Sequence, residues 1–246
     1  CSPGVLEIPL GMKEGEFLKL SEKIKALVLQ KPFYEKVSSA EGVIVKGSKN
    51  IDDQSLLKAS LVVQNMLSKR PDIKQNIIDK NVSIVVIAKS ENYCDLPETQ
   101  DLKNQSTFDG RSFCTICGAG ANEARPITAV CEDNLLKTKN DPYFGTEDIL
   151  THELAHTIHL MGMSPREKDR LLYLYEEVKK KGDYALNKEG SPTYMMANEE
   201  EFFACLTAMW FNVHNPQSYA FSPALNNRED LKTKLPAVYE FLKEFY

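Results

Sequence analysis

The sequence lacks the features by which nucleic-acid-binding and membrane-spanning proteins are recognised. Its 246 residues include 30 Lys and Arg against 35 Asp and Glu, which gives a formal net charge of −5, and no long basic run is present. This charge balance argues against nucleic acid as a partner. No apolar run approaches the roughly 18 residues of a membrane-spanning helix, so we expect no transmembrane segment. No internal repeat is visible, which argues against a repeat array.

The sequence also shows no signal peptide. It begins Cys1-Ser2-Pro3, which we interpret as the mature terminus of a processed, exported protein. A cysteine in the first position suits a lipid-modified bacterial lipoprotein, and a disulfide cysteine or an arbitrary chain boundary are the alternatives. We therefore expect a secreted or exported protein, either extracellular or anchored by a lipid on Cys1.

Histidine is scarce, and its distribution is uneven. Three of the four His fall in the stretch Thr151–His159, which contains the motif H-E-x-x-H from His152 to His156. On a helix, residues i and i+4 lie on one face, so both imidazoles can bind one Zn²⁺, with Glu153 beside them as a base for a zinc-bound water. A helix that merely carries two histidines is the alternative. The surrounding apolar residues favour the motif, because they indicate a helix buried on most sides: Leu150, Leu154, Ala155, Ile158 and Met161.

A catalytic zinc site needs a third protein ligand and leaves the fourth position for water. His159 is seven residues after His152, which is roughly 10.5 Å along a helix axis and too far for both to share an ion. The metzincin pattern, with a Gly and a third His further downstream, is absent. The third ligand must therefore come from another part of the chain.

An acidic triplet, Glu199 to Glu201, precedes an apolar helical run and supplies the best candidate. The residues one and two turns after Glu201 are small, so this helix can approach the first closely enough for the Glu201 carboxylate to reach the metal: Ala204, Cys205 and Ala208. One and two turns after Glu199 come bulky residues typical of a core, and the residues after Glu200 are an intermediate case. We predict Glu201 as the ligand. A solvated first turn, favoured by the helix dipole, is the alternative for an acidic triplet and is expected for Glu199 or Glu200.

These motifs resemble those of the gluzincin metallopeptidases, in particular the group that contains anthrax lethal factor and the Mlc titration factor A peptidases. The similarity rests on Tyr194, Asn198 and Glu201-Phe202-Phe203-Ala204 downstream of the His152–His156 motif, and it covers roughly residues 125–215. The resemblance implies that Glu201 is the third zinc ligand and that Tyr194, seven residues before it, assists at the transition state. Gly118–Ala121, further upstream, is similar to a family of secreted proteins with the same zinc motif.

The function implied is that of a zinc metallopeptidase with one catalytic Zn²⁺ and a peptide or protein substrate, with a monomer favoured. Tyr194 could instead be a packing residue, and Asn198 either orients a ligand or caps the helix. Two other classes remain open: a zinc hydrolase of a non-peptide substrate, and a zinc-containing binding protein without turnover. Glu153 and Tyr194 argue against the second, because a binding protein needs no general base.

The predicted fold is α+β: a single zincin-like catalytic domain over 1–246, in which a small mixed sheet packs on the active-site helix. Residues 1–145 form a helix-and-sheet lobe, and residues 146–246 form a helical lobe that completes the zinc site. Val82–Ala88 is the clearest strand, 42–47 is a strand or a loop, and Ile127–Val130 is a strand. The resemblance to zincins implies that Ile127–Val130 is an edge strand that can pair with an extended substrate peptide, and a strand that only closes the sheet is the alternative. We expect helices over 13–30 and 53–69, a short helix that ends at about Asp79, and further helices over 164–181, 196–212 and 229–244. The active-site helix is expected to begin at the N-cap Thr146 and to end at Gly162.

Four cysteines cluster between positions 94 and 131, in a segment with little periodicity: Cys94, Cys114, Cys117 and Cys131. Two disulfides and a structural Cys₄ zinc site are the competing interpretations, and export favours the disulfides. Three connectivities remain open. We expect Cys205 to be a buried thiol. In a secreted eukaryotic protein Asn81 and Asn104 would be glycosylation acceptors, with Asn104 favoured.

Overall fold

The computed structural model describes residues 33–107 and 110–246, and strands and helices are numbered within them. The helix predicted over 13–30 and the lipid-attachment residue Cys1 lie outside the described residues. Among the described residues, no helix combines the length and the apolar character needed to cross a membrane.

A mixed sheet of five strands forms the N-terminal half of the described chain. The strands are β1 (Lys36–Ala40), β2 (Val43–Gly47), β3 (Ser83–Ile87), β4 (Gly118–Ala119) and β5 (Ile127–Cys131), and their order is β1-β2-β3-β5-β4. The pairs β2/β3 and β3/β5 are parallel, whereas β1/β2 and β4/β5 are antiparallel. All five residues of β3 are buried, which explains its nearly continuous apolar sequence: a strand covered on both faces needs no polar side.

The segment predicted as a strand or a loop is strand β2, and it forms a hairpin with β1, which the sequence did not predict. Glu41 and Gly42 connect the two strands with φ values of 52° and 101°. Two successive positive φ values are typical of a type I′ hairpin turn, whose twist matches that of the flanking strands. β1 was missed because Ser38 and Ser39 interrupt its apolar pattern.

The prediction that Ile127–Val130 is an edge strand is wrong. This segment is β5, which has β3 on one side and β4 on the other. β4 has only two residues, because Gly118 pairs with Val130 and Ala119 with Ala129 before the chain turns away. The edge of the sheet on this side is therefore β4.

Eight helices follow or connect the strands of the described residues. They are α1 (Asp53–Leu67), α2 (Pro71–Asp79), α3 (Glu132–Leu135), α4 (Ile149–Thr157), α5 (Pro165–Lys181), α6 (Glu199–Trp210), α7 (Arg228–Lys234) and α8 (Pro236–Phe245). The predictions near 53–69, 164–181 and 196–212 agree with α1, α5 and α6. The continuous helix predicted over 229–244 is wrong: Pro236 cannot continue a helix, so Leu235 leaves the helical region and α8 starts anew.

The two faces of the sheet pack against different layers. Ile84 and Val86 of β3 belong to the main core, which includes residues of helices α1, α4 and α6. Val85 and Ile87 point the other way, into a second cluster built with residues of the segment that contains the cysteines. This alternation is the two-residue period of a strand. Helix α4, which contains the His152–His156 motif, thus lies under the sheet, as predicted, and the described residues have the predicted α+β class.

Candidate metal centre

The start of α4 is fixed by side-chain hydrogen bonds from two neighbouring segments. The N-cap is Asp148, whose carboxylate accepts a 2.9 Å hydrogen bond from the Thr151 N–H. The predicted cap, Thr146, lies before the helix and donates its hydroxyl to the carbonyl of Tyr143 instead. Asn134 accepts a 2.9 Å bond from the Ile149 N–H and so ties α3 to the first residue of α4. These bonds satisfy N–H groups that a helix leaves without intrahelical partners.

α4 and α6 bring His152, His156 and Glu201 together. His152 Nε2 lies 3.1 Å from His156 Nε2 and 3.1 Å from Glu201 Oε2, and His156 Nε2 lies 3.4 Å from the same oxygen. Zinc binds nitrogen and oxygen at about 2.0–2.1 Å, so the edges of a tetrahedron of such ligands measure about 3.3–3.4 Å. The three mutual distances therefore fit one zinc ion at the centre of this donor set.

Glu201 is held in place by its own helix. It is buried, whereas Glu199 and Glu200 are partly exposed, and its N–H donates a 2.8 Å hydrogen bond to the side chain of the N-cap residue, Asn198. Burial alone would raise the pKa of the Glu201 carboxyl, but hydrogen bonds with the imidazoles of His152 and His156 outweigh burial and hold this pKa well below its usual range. Of the two alternatives left open for Asn198, the structure places it as a helix cap.

Tyr194 lies in a short 3₁₀ turn before α6 and contacts the same carboxylate. Its hydroxyl donates a 2.7 Å hydrogen bond to Glu201 Oε1. Its ring stacks on His152 at a centroid distance of 6.5 Å and meets Tyr219 edge-on at 6.2 Å. Burial, followed by the nearby Glu201 charge, raises the pKa of Tyr194, so the phenol remains protonated and able to donate.

Glu153 is enclosed between α4 and the edge strand β4. Burial raises the pKa of its carboxyl, although the nearby His152 and a backbone hydrogen bond from Gly120 act in the opposite direction. A Cβ atom at Gly118 would lie 2.7 Å from Glu153 Cγ, and a Cβ atom at Gly120 would lie 2.5 Å from His156 Cβ. Real Cβ atoms do not approach so closely, so both glycines allow the strand to lie against the helix.

Sequence reasoning did not identify Gly118 and Gly120 as part of the site. The available signal was their two-residue spacing, which places both on the same face of an extended segment. That spacing does not say which element the face meets, and the contact with α4 is visible only in three dimensions.

The candidate site opens into a cleft of about 530 Å³. One wall comes from the segment before and within β4, a second from the loop before α4, and a third from the loop after α6. Residues from the three walls include Phe113, Ile116, Tyr143, Phe144, Tyr219 and Phe221. The cleft is therefore rich in aromatic and apolar side chains around a polar floor, the usual composition of a site for an organic ligand.

His159 does not belong to the site. It lies in the π-helical turn Ile158–Gly162 that follows α4, is buried, and packs against Phe203 at 6.4 Å between ring centroids. It does not line the cleft, so its position is that of a packing residue. Burial lowers the pKa of His159 to about 4.

Two disulfides fasten the first wall of the cleft. They join Cys94 to Cys114 and Cys117 to Cys131, so the prediction that these four cysteines pair among themselves is confirmed and the Cys₄ zinc alternative is wrong. The second disulfide connects the residue before β4 to the last residue of β5. Cys205, as predicted, is a buried free thiol.

No protein-family model matches the sequence, and no curated protein is similar to it. Among solved structures, this chain is similar to the PRO-PRO endopeptidase (PPEP-2) from Paenibacillus alvei, with a TM-score of 0.54 and 20% sequence identity over 85% of this chain and 100% of that chain. At this identity the similarity concerns the fold alone. The narrower resemblance to anthrax lethal factor and the Mlc titration factor A peptidases stays a prediction. The comparison confirms the predicted α+β, zincin-like fold.

Proposed function

We propose that this protein is a zinc-dependent peptidase of the gluzincin type, which hydrolyses peptide bonds with water. The observation that carries the proposal is the convergence of His152 Nε2, His156 Nε2 and Glu201 Oε2 within 3.1–3.4 Å of one another beside the Glu153 carboxyl. The fold similarity to an endopeptidase supports the same assignment.

His152, His156 and Glu201 would hold the metal. When bound, a zinc ion in such a site lowers the pKa of water to about 7 and polarises a carbonyl. Glu153 follows His152 on α4 and lines the cleft, so its carboxylate can accept a proton from the attacking water and pass it to the leaving amine. Burial raises the pKa of this carboxyl above its usual range, which makes it a stronger base than an exposed glutamate.

Tyr194 has two roles in this proposal. In the resting arrangement its hydroxyl orients Glu201 through Oε1, as the partners of metal ligands commonly do. During the reaction the same hydroxyl would turn to the oxyanion that develops on the substrate carbonyl. A single donor of this kind typically contributes about 3 kcal/mol to transition-state stability.

The substrate class follows from the shape and the edges of the site. Gly118 and Ala119 both line the cleft, and β4 is the last strand of the sheet on this side. An extended peptide can add to such an edge by main-chain hydrogen bonds. The fold neighbour is named a PRO-PRO endopeptidase, so an internal bond of an extended peptide is the substrate that we propose here.

We also propose that the protein is exported. Its two disulfides belong to an oxidising compartment. We further propose that residues 1–246 form a single catalytic domain and that the protein is a monomer.

The test is digestion of a peptide library by the purified protein, with and without a chelator, together with zinc determination by elemental analysis. We expect one zinc per chain and cleavage that stops on chelation and returns with zinc. The matched control is Glu153→Gln, which keeps the three ligands and loses the base: it should keep zinc and lose hydrolysis. Cleavage by Glu153→Gln at the wild-type rate would exclude the mechanism, and zinc-dependent hydrolysis of an ester or a glycan but of no peptide would favour a non-peptide hydrolase. Stoichiometric zinc with no hydrolysis would instead indicate a zinc-containing binding protein.

A further inference from the structure

A buried thiol lies beside the proposed metal centre, and the proposed reaction does not use it. Cys205 follows Glu201 by one turn on α6, so both side chains lie on the same face of the helix. It is 1% exposed, is not part of a disulfide, and contributes to the lining of the cleft. Its sulfur is therefore enclosed with the metal-binding side chains and screened from bulk solvent.

Cys205 also forms a donor set of its own with two of the proposed zinc ligands. One ligand atom each from His152, Glu201 and Cys205 lie within 4.8 Å of one another. The two helices thus present two pairs with the same spacing: His152 and His156 on α4, and Glu201 and Cys205 on α6. Two donor sets overlap here, since His152 and Glu201 belong to both.

We propose that Cys205 is a metal ligand and that the set His152–Glu201–Cys205 binds thiophilic cations such as Cd²⁺ or Cu⁺; this inference rests on the proposed metal centre. Zinc accepts imidazole, carboxylate and thiolate ligands, and a thiolate raises the affinity for softer ions relative to a site with nitrogen and oxygen donors only. A cation bound through Cys205 uses His152 and Glu201 as well, so it displaces zinc from the catalytic set. The sulfur proton passes to the buffer on binding, and no oxidant or reductant is involved.

The competing explanation is that Cys205 is only a small core residue. Free cysteines are among the most buried residue types and often pack as small apolar groups. A residue with that role alone needs no particular orientation towards His152 and Glu201, and serine or alanine should replace it without effect on metal preference. The two explanations therefore differ in a spectroscopic property, not only in stability.

The experiment is a titration of the zinc-loaded full-length protein with Cd²⁺. Formation of a sulfur–cadmium bond is followed by its ultraviolet charge-transfer absorption, and released zinc is followed with a coloured chelator. We expect the band to saturate at one Cd²⁺ per chain while one zinc is released. Cys205→Ser should show neither the band nor comparable zinc release, and Cys1→Ser, the matched control for the cysteine outside the described residues, should behave as the wild type does.

Folding of Cys205→Ser is checked by its circular dichroism and its initial zinc content, and Cys205→Ala serves as a second variant should serine disturb the core. The same band and zinc release in wild type and in both Cys205 variants would overturn the proposal, as would the absence of a band in the wild type. Failure of the proposed function would look different: the purified protein would contain no zinc or cleave no peptide before any Cd²⁺ is added.

Discussion

The Tyr194 hydroxyl donates its 2.7 Å hydrogen bond to Glu201 Oε1, and Oε2 of the same carboxylate faces His152 and His156. The carboxylate therefore separates two functions between its oxygens: one is available to a metal and the other is held by the phenol. Tyr194 lies seven residues before Glu201, so the 3₁₀ turn and the first turn of α6 together fix this contact.

Tyr194→Phe should slow hydrolysis by roughly 10²–10³-fold, because the ring is kept and a single oxyanion donor is lost. Zinc content should stay near one per chain, since three ligands remain, although affinity should fall by about 10–100-fold with loss of the hydrogen bond to Glu201. Steady-state kinetics and a competition with a chelator of known affinity measure the two effects. A variant with wild-type kcat would reduce Tyr194 to a packing residue.

The choice of Glu201 as third ligand predicts different zinc contents for three alanine variants. Glu201→Ala should lose most of its zinc, because two protein ligands remain. His159→Ala should keep zinc, because His159 packs against Phe203 away from the cleft. Glu199→Ala is the matched control in the same helical turn and should also keep zinc. Full zinc in Glu201→Ala combined with depleted zinc in His159→Ala would contradict the gluzincin assignment.

The close approach to α4 of the chain just after β4 predicts that Gly120→Ala will damage the proposed metal centre, although Gly120 is not one of the proposed ligands. The added Cβ would lie 2.5 Å from His156 Cβ and 3.0 Å from the Glu153 carbonyl oxygen. We expect a loss of about 1–3 kcal/mol in the free energy of unfolding and weaker zinc binding. Gly110→Ala is the control, because nothing lies within 4 Å of the added atom there and only the cost of its positive φ applies. Equal zinc affinity in both variants would show that the contact does not position His156.

The lowered pKa of His159 predicts that the free energy of unfolding depends on pH. Burial lowers its pKa to about 4 in the folded protein, while the unfolded chain titrates near 6.5. Above pH 6.5 neither state binds the proton, whereas between pH 6.5 and 4 only the unfolded state does, so the free energy of unfolding decreases as the pH is lowered through this window. The loss between pH 7 and 5 should be about 2 kcal/mol from this group.

The measurement is urea unfolding of wild type and His159→Gln at both pH values and at one zinc concentration. The variant should lose about 2 kcal/mol less between pH 7 and 5, whatever its stability at pH 7. Parallel pH dependences would mean that His159 is protonated without penalty in the fold.

Much of the site could be predicted because most of its residues are related by short, helix-like spacings in the sequence. His152, His156 and Glu153 follow from one helical turn, and the small residues after Glu201 favoured it over its two neighbours. The number and the order of the strands could not be read in this way, since β1 has only two buried residues and β4 only two residues in all. Whether β5 is an edge strand or an inner strand depends on which strands flank it, and the sequence of residues 127–131 does not determine its neighbours.

Two features of the helix that carries the His152–His156 motif could not be predicted from its own sequence. Thr146 and Asp148 are both good N-caps, and the choice between them depends on Asn134, which fixes the Ile149 N–H from 15 residues away. The helix predicted to reach Gly162 does end there, but its last turn is π-helical. The hydrogen bonds of a π-helical turn span one residue more than those of an α-helical turn, so the His159 side chain points in a different direction from the one that a constant α-helical period predicts.

The disulfides that fasten the cleft wall have a consequence for the resistance of the protein to proteolysis. The bond between Cys94 and Cys114 spans 20 residues, and the bond between Cys117 and Cys131 spans 14. If a protease cuts an exposed bond inside either loop, the two fragments remain covalently linked through the disulfide. The edge strand then stays on α4 despite the nick. A single cleavage in this segment thus need not end activity, and we expect nicked molecules to accumulate in an active form.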